Sequence, residues 1–165
     1  MTVADEFKGA VERVKKARAD RQAAQQAQLN AVSSAREQLI ARASSKLHEI
    51  VRPLLDQAAE ALRAEGISLT ISEEFDVRNR HESVLPALVA QCVGAKKGDW
   101  APLSHKLYIA TDGSRLEIAT GPSMTKNPDG QKKTITIEKD FKDAILAAFE
   151  KCVESYYGEV DRYRS

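Results

Sequence analysis

The sequence predicts an α+β fold with a long, kinked N-terminal helix, an antiparallel meander of four or five strands, and a C-terminal helix packed on the sheet. Three observations lead to this class. Apolar residues recur at helical spacing over residues 29–66, alternate with polar ones on either side of an Asp-Gly pair, and return to helical spacing after Asp140. The 165 residues accordingly divide into an N-terminal helical extension, 1–28, and a single α+β domain, 29–165.

The segment 29–66 has the pattern of an amphipathic helix with one packed face and one wet face. Gly66 stands where a left-handed residue ends a helix, and the apolar Ile67 follows it. Pro53 removes one backbone hydrogen bond and crowds the preceding turn, so we expect a kink there. The residues that form the apolar stripe are Leu29, Ile40, Ala43, Leu47, Val51, Leu54, Ala58 and Leu62.

The N-terminal extension is too long for its own domain to cover. Thr2 and Asp5 form a weak capping box, and the run 21–28, RQAAQQAQ, favours helix without offering a large side chain to bury. A continuous helix over residues 2–65 would be about 95 Å long, whereas a globule of about a hundred residues has a radius of gyration of about 13 Å. The opening segment must therefore fold back, fray, or pack on a second copy of the chain.

We expect a homodimer through this helical surface, with fraying of the extension as the alternative. Ser33 and Arg36 interrupt the apolar stripe, so the segment is coiled coil-like rather than a strict heptad repeat. The candidate interface residues are Phe7, Val11, Val14, Leu29, Val32 and Leu39.

The sheet is predicted from alternation and from one turn signal. Residues 67–72 alternate apolar with polar, and 83–93 fits either a helix or a fully buried strand, of which we favour the strand because a hairpin-like loop follows. Asp112-Gly113 predicts a two-residue type I′ hairpin. Pairing across that turn sets Ile109 opposite Leu116, Leu107 opposite Ile118, Tyr108 opposite Glu117 and Ala110 opposite Arg115.

The C-terminal part adds one strand and one helix. Residues 134–138 alternate again, after a turn-rich loop over 121–130. Asp140 is a suitable N-cap for a helix that we expect to end at Gly158, followed by a polar tail over 161–165. The apolar side of that helix carries Phe141, Ile145, Ala148, Phe149, Cys152 and Tyr156.

Charge and composition exclude several classes of protein. The net charge of +1 argues against a general polyanion binder, and no apolar run approaches the roughly 18 residues of a membrane span. The N-terminus has no apolar core typical of a signal peptide, so we predict a cytoplasmic protein. Cys92 and Cys152 stand among apolar neighbours, which predicts two buried free thiols, with a disulfide as the alternative.

Motifs for catalysis or metal binding are not recognisable, and we predict no catalytic residue, cofactor or metal. His48, His81 and His105 are far apart in sequence, and none has a second ligand at helical spacing. The acidic run Glu73, Glu74 and Asp76 fits a solvated edge strand as well as a cation site. Glycine-rich phosphate loops and nucleophile motifs are missing from the sequence.

The sequence therefore favours a non-enzymatic protein–protein interaction or assembly protein of adaptor or chaperone-like type, which forms a homodimer and contacts a further protein partner. One alternative is a nucleic-acid-binding accessory protein, which would use the loop 96–100 and the basic N-terminal helix. Its candidate contacts are Lys96, Lys97, Trp100, Lys132 and Lys133. A second alternative is a small-ligand or enzymatic domain with its site between the sheet and the C-terminal helix, where Tyr108, His105 and Tyr156 are the candidates.

Overall fold

The computed structural model describes residues 2–76, 85–121, 133–137 and 140–164. Two compact units are formed, Met1–Gln38 and Leu39–Ser165. The predicted α+β class, with its long N-terminal helix, antiparallel sheet and C-terminal helix, is confirmed. The elements in chain order are α1 (Val3–Lys46), a π-helical turn (Leu47–Val51), α2 (Arg52–Arg63), β1 (Ser68–Asp76), β2 (Leu85–Val93), β3 (Lys106–Thr111), β4 (Arg115–Gly121), β5 (Lys133–Thr136) and α3 (Phe141–Arg164).

Some predictions fall on residues outside the described part of the chain. These are the predictions for His81 and Lys132, for most of the loop 121–130, and for the strand end at Glu138.

The start of α1 is the predicted capping box. The Thr2 backbone N–H donates to Asp5 Oδ2 at 3.0 Å, and the Asp5 N–H donates to Thr2 Oγ1 at 3.3 Å. These bonds to Thr2 hold the pKa of the Asp5 carboxyl below its usual value. The N–H groups of Thr2 and Asp5 thereby find acceptors, and the helix begins at the predicted capping box.

The long helix is interrupted just before Pro53 and ends at Gly66. The regular α-helix stops at Lys46, and the π-helical turn Leu47–Val51 stands directly before Arg52 and Pro53, where the proline cannot donate its hydrogen bond. Gly66 has φ of +74°, its N–H donates to the Arg63 carbonyl at 3.1 Å, and the Ile67 N–H donates to the Leu62 carbonyl at 3.0 Å. This is a Schellman motif, and the predicted helix end is confirmed.

The five strands form one antiparallel sheet in the order β1-β2-β3-β4-β5. The preference for a strand over 83–93 is confirmed for its described part, Leu85–Val93. One face of the sheet packs against α2, α3 and the π-helical turn Leu47–Val51. The fully buried side chains of this core include Leu47, Val51, Leu55, Leu88, Cys92, Leu107, Ile109, Leu116 and Cys152.

The hairpin around Asp112-Gly113 forms, but its predicted register is wrong by two residues. Ile109 pairs with Ile118 and Thr111 with Leu116, so four residues lie between the last two paired residues instead of two. Leu107 accordingly pairs with Thr120, Tyr108 with Ala119 and Ala110 with Glu117. The side chains at the turn explain the longer loop. Asp112 Oδ1 accepts hydrogen bonds from the Ser114 and Arg115 N–H groups, and Thr111 Oγ1 donates to the Arg115 carbonyl at 2.6 Å. A shift of two keeps every side chain on its predicted face.

The C-terminal helix does not end at Gly158 as predicted, because α3 continues to Arg164. A glycine inside a helix costs only about 1 kcal/mol relative to alanine, which packing on either side can offset. Beyond Gly158, Val160 packs against the core, and the Tyr163 ring lies 4.5 Å from the Trp100 ring, measured between centroids. These contacts extend the helix past its weakest position.

Candidate functional site

The candidate interface residues of the extension are exposed along one helix. Phe7 is 69 % exposed, Val14 is 68 % exposed and Val32 is 63 % exposed, all on the 44-residue helix α1. Val11 and Leu29 are exposed as well, and Leu39, at 38 %, is the least exposed of the six. Large apolar side chains in water are individually ordinary, but six on one continuous helix are an unusual concentration.

Five of these side chains, all except Leu29, follow a heptad-like line that we call the α1 seam. Steps of four and three residues run along the helix, which is the spacing of core positions in a coiled coil. The middle of the seam is polar, and its two ends are apolar. Its members are Phe7, Val11, Val14, Arg18, Arg21, Gln25, Gln28, Val32, Ala35 and Leu39, all exposed.

The predicted acidic run on β1 is partly used inside the second unit. Glu73 Oε1 accepts a hydrogen bond from Ser44 Oγ at 2.7 Å, and Glu73 Oε2 lies 2.9 Å from His48 Nε2. These bonds, from Ser44 first and His48 second, hold the pKa of the Glu73 carboxyl below its usual value. His48 therefore has a structural partner, and Glu73 ties the edge strand to the end of α1.

The candidate nucleic-acid loop is a tight turn beside α3. The Lys97 N–H donates to the Trp100 carbonyl at 2.7 Å, and Gly98 at the turn has φ of +64°. Lys96 and Lys97 are exposed, while Trp100 is half-buried and packs on Tyr163. The indole ring is thus engaged with the protein and offers at most part of its surface to a base.

Lys133, at the start of β5, lies at the same end of the sheet as this loop. Neighbouring strands alternate in direction, so β2 ends and β5 begins at the same end of the sheet. Three strand spacings separate β2 from β5, about 14 Å across the sheet. The structure therefore brings Lys133 to the loop's side of the sheet without making a compact cluster.

Sequence reasoning did not anticipate a buried polar cluster where β2, the start of β3 and α3 meet. Ser104 Oγ donates to the His105 carbonyl at 2.6 Å, accepts from the Cys92 N–H at 2.9 Å, and lies 3.1 Å from Cys152 Sγ. The sulfur atoms of Cys92 and Cys152 are 3.8 Å apart, and both cysteines are free and fully buried. The predicted buried thiols are confirmed, and their closeness required the packing of α3 on the sheet.

The hydrogen bonds of this cluster join β2, the residues before β3 and α3. The single Ser104 hydroxyl hydrogen goes to the His105 carbonyl, so the one thiol hydrogen of Cys152 is left for either Ser104 Oγ at 3.1 Å or the His105 carbonyl at 3.3 Å. The hydrogen bond with Cys152, together with burial, raises the pKa of the Cys92 thiol. Both sulfur atoms are fully buried, so no substrate can reach them, and the cluster joins three elements rather than performing chemistry.

Tyr108, one of the residues proposed for a site between the sheet and α3, does not face α3. Tyr108 alternates along β3 with Leu107 and Ile109, which belong to the core beneath the helices, so Tyr108 lies on the opposite sheet face. Tyr156 is buried in that core. A cavity of about 170 Å³ does exist between β4, β5 and α3, but it is lined by Ile118, Ala119, Thr120, Lys133, Ala144, Ala147, Ala148 and Lys151.

A second concavity lies between α2 and α3. This groove of about 460 Å³ has a mostly apolar lining, and Leu146 at its side is 55 % exposed. Its lining residues are Leu54, Leu55, Gln57, Ala58, Ala61, Lys142, Asp143, Ile145, Leu146 and Phe149.

Within the part of the chain that the structure describes, no three His, Cys, Asp or Glu side chains are grouped so that they could hold a metal ion. Nor is any helix in this part of the chain long and apolar enough to cross a membrane.

Comparison with known proteins gives no relative from which a role could be transferred. The chain matches no protein-family model, and neither a curated protein nor a solved structure is significantly similar to it. Any assignment of function must therefore come from the chain's own residues.

Proposed function

We propose that this chain is a non-enzymatic assembly protein of adaptor or chaperone-like type, which self-associates through α1. The observation that carries the proposal is the row of exposed apolar side chains on that helix, with Phe7, Val14 and Val32 each more than 60 % exposed. Burying such side chains removes apolar surface from water, at about 25 cal/mol per Å².

The energetics of an isolated helix support this choice. The segment 21–28 has no large side chain to pack, so helix formation there relies on propensity and on a few exposed side-chain bonds such as Gln26 to Asn30 at 3.0 Å. Helices without tertiary contacts are marginal in water, and most helical stability comes from packing an apolar face. A second helix laid along the α1 seam supplies that packing.

The chemistry of the second unit also points away from catalysis. The buried cluster around Ser104 keeps its two thiols out of reach of solvent, and Glu73 is bound by Ser44 and His48. Neither arrangement offers an activated group to a substrate. A sheet held rigidly by such bonds is suited to presenting surface to another protein.

Sedimentation velocity or light scattering of the full chain tests self-association. We expect a species of twice the chain mass, and we expect Val14→Glu to weaken it at least tenfold because a charge would be buried at the seam. Ala23→Glu is the matched control, since position 23 lies on the opposite side of the helix and the added charge is the same. A wild-type chain that stays monomeric at high micromolar concentration would refute the proposal.

A nucleic-acid-binding accessory role is the second candidate. It is favoured by the exposed Lys96 and Lys97 beside Trp100, with Lys133 at the same end of the sheet. If it is correct, a labelled single-stranded oligonucleotide binds with a strong salt dependence, and the double change Lys96→Ala with Lys97→Ala reduces the salt slope. Lys142→Ala, on α3, serves as the control, and no binding at low ionic strength excludes this role.

A further inference from the structure

We infer that the partner of α1 is a second copy of the same helix in antiparallel orientation, with residue 23 of each chain at the centre of the pair. This inference rests on the proposed self-association and specifies its geometry. Residue 23 marks the midpoint along the length of the paired helices. In this register, residue n of one helix lies at the same level as residue 46 − n of the other.

The apolar ends of the seam meet each other in this register. Val14 faces Val32 of the second copy, Val11 faces Ala35, and Phe7 faces Leu39. Each of these layers combines two different core positions of the heptad, which is the layer type that an antiparallel coiled coil forms. By symmetry, each layer occurs twice, so six of the ten layers are apolar.

A parallel, in-register pair would bury the same number of apolar layers, so the buried apolar area is the same in both orientations. The orientations differ in which residues meet in the polar middle of the seam. In a parallel pair Arg18 faces Arg18 and Arg21 faces Arg21, which sets four guanidinium groups in two successive layers. In the antiparallel pair Arg18 faces Gln28 and Arg21 faces Gln25, whose amide oxygens accept hydrogen bonds from guanidinium. Guanidinium groups that face each other repel, so the antiparallel orientation has the lower free energy.

A row of small residues beside the seam supports the same orientation. Alanine occupies four positions spaced by seven on one flank, namely Ala10, Ala17, Ala24 and Ala31. In the antiparallel pair this row faces itself, with Ala24 near Ala24 of the second copy, which lets the helices approach to the short end of the usual 8–10 Å separation. On the other flank Lys8 approaches Arg36 of the second copy, where exposed like charges cost little.

Disulfide cross-linking of full-length variants distinguishes the orientations. Val14→Cys and Val32→Cys are at exposed positions, and the native Cys92 and Cys152 are fully buried. In the antiparallel pair, a mixture of the two variants cross-links, whereas each alone does not, because like positions are about 27 Å apart. In a parallel pair, each variant alone cross-links and the mixed product does not form, since those positions are then about 27 Å apart. A tag on one variant identifies the mixed product.

A charge change gives an independent measurement. Gln25→Glu sets a carboxylate opposite Arg21 of the second copy twice per dimer, so we expect the dimer to tighten by about fivefold at low salt and less at high salt. In a parallel pair the same change sets carboxylate against carboxylate and weakens the dimer. Ala23→Glu, on the outer side, controls for the added charge.

The outcomes separate this inference from the proposal beneath it. Mixed-only cross-linking with tightening by Gln25→Glu supports the antiparallel register. Self-cross-linking of each variant, or a dimer that yields neither product, overturns the register and leaves self-association standing. A wild-type chain that is monomeric overturns both.

Discussion

Ser104→Ala is the sharpest test of how the second unit is held together. Ser104 is 4 % exposed, and its hydroxyl bonds to groups from two strands and lies beside Cys152 of α3. The change removes one oxygen and nothing else from the packing. We expect the Cys92 N–H to lose its acceptor and the His105 carbonyl to keep one donor, because Cys152 Sγ still lies 3.3 Å from it.

The lost bond cannot be replaced from the other neighbouring strand. The Cys92 carbonyl accepts the Ser104 N–H at 3.0 Å, and the N–H and carbonyl of one strand residue point to the same side. The Cys92 N–H therefore points away from β1. Only Cys152 Sγ, a weak acceptor, then remains for the Cys92 N–H. A buried donor that loses its oxygen acceptor costs about 1–3 kcal/mol, so we expect a loss of about 2 kcal/mol in the free energy of unfolding. For a chain of this size that loss lowers the melting temperature by about 6 °C.

Fluorescence of Trp100, the only tryptophan in the chain, reports this unfolding because its half-buried ring packs on α3. In urea, 2 kcal/mol moves the midpoint by about 1 M. Ser114→Ala is the matched control, since the Ser114 hydroxyl bonds Asp112 at 2.9 Å in an exposed loop and its removal costs about 0.5 kcal/mol or less. If Ser104→Ala destabilises no more than Ser114→Ala, the reasoning about the buried cluster is wrong.

Four further substitutions at single positions have expected outcomes. Gly66→Ala forces a side chain into φ of +74° at the helix end, so we expect a loss of about 1 kcal/mol in urea unfolding, while Gly158→Ala, inside α3 with open space around it, should stabilise by about as much. Gly94→Ala places a methyl group against the Tyr156 hydroxyl and the Pro102 ring, so we expect lower stability and altered Trp100 emission; an unchanged melting temperature would show that this contact is loose. Because the folded pKa of Glu73 lies below its ordinary 4.5, its stabilisation is present above that pH and is lost as the pH falls through the folded pKa. Glu73→Gln should therefore be less stable than the wild type by about 0.5 kcal/mol at pH 7, and this difference should shrink as the pH falls through the folded pKa of Glu73; a difference that does not change with pH would contradict this.

The elements whose signals are local could be predicted from the order of the amino acids. The capping box at Thr2, the interruption before Pro53 and the Schellman end at Gly66 each depend on a few neighbouring residues, so they were predictable. The same is true of the strand at Leu85–Val93, whose hairpin-like loop favoured a strand over a helix.

Features that depend on competition between distant or alternative contacts could not be predicted from the sequence. The hairpin register differs by two residues from the prediction because Thr111 and Asp112 bond to backbone groups of Arg115 across a longer loop. The last helix passed Gly158 because Tyr163 packs on Trp100, a contact between residues 63 positions apart in the chain. The cluster of Cys92, Ser104 and Cys152 has no sequence signal at all, since it exists only where α3 crosses the sheet. Neighbouring residues determine which helices and strands form, whereas tertiary packing determines their lengths, their registers and the contacts between them.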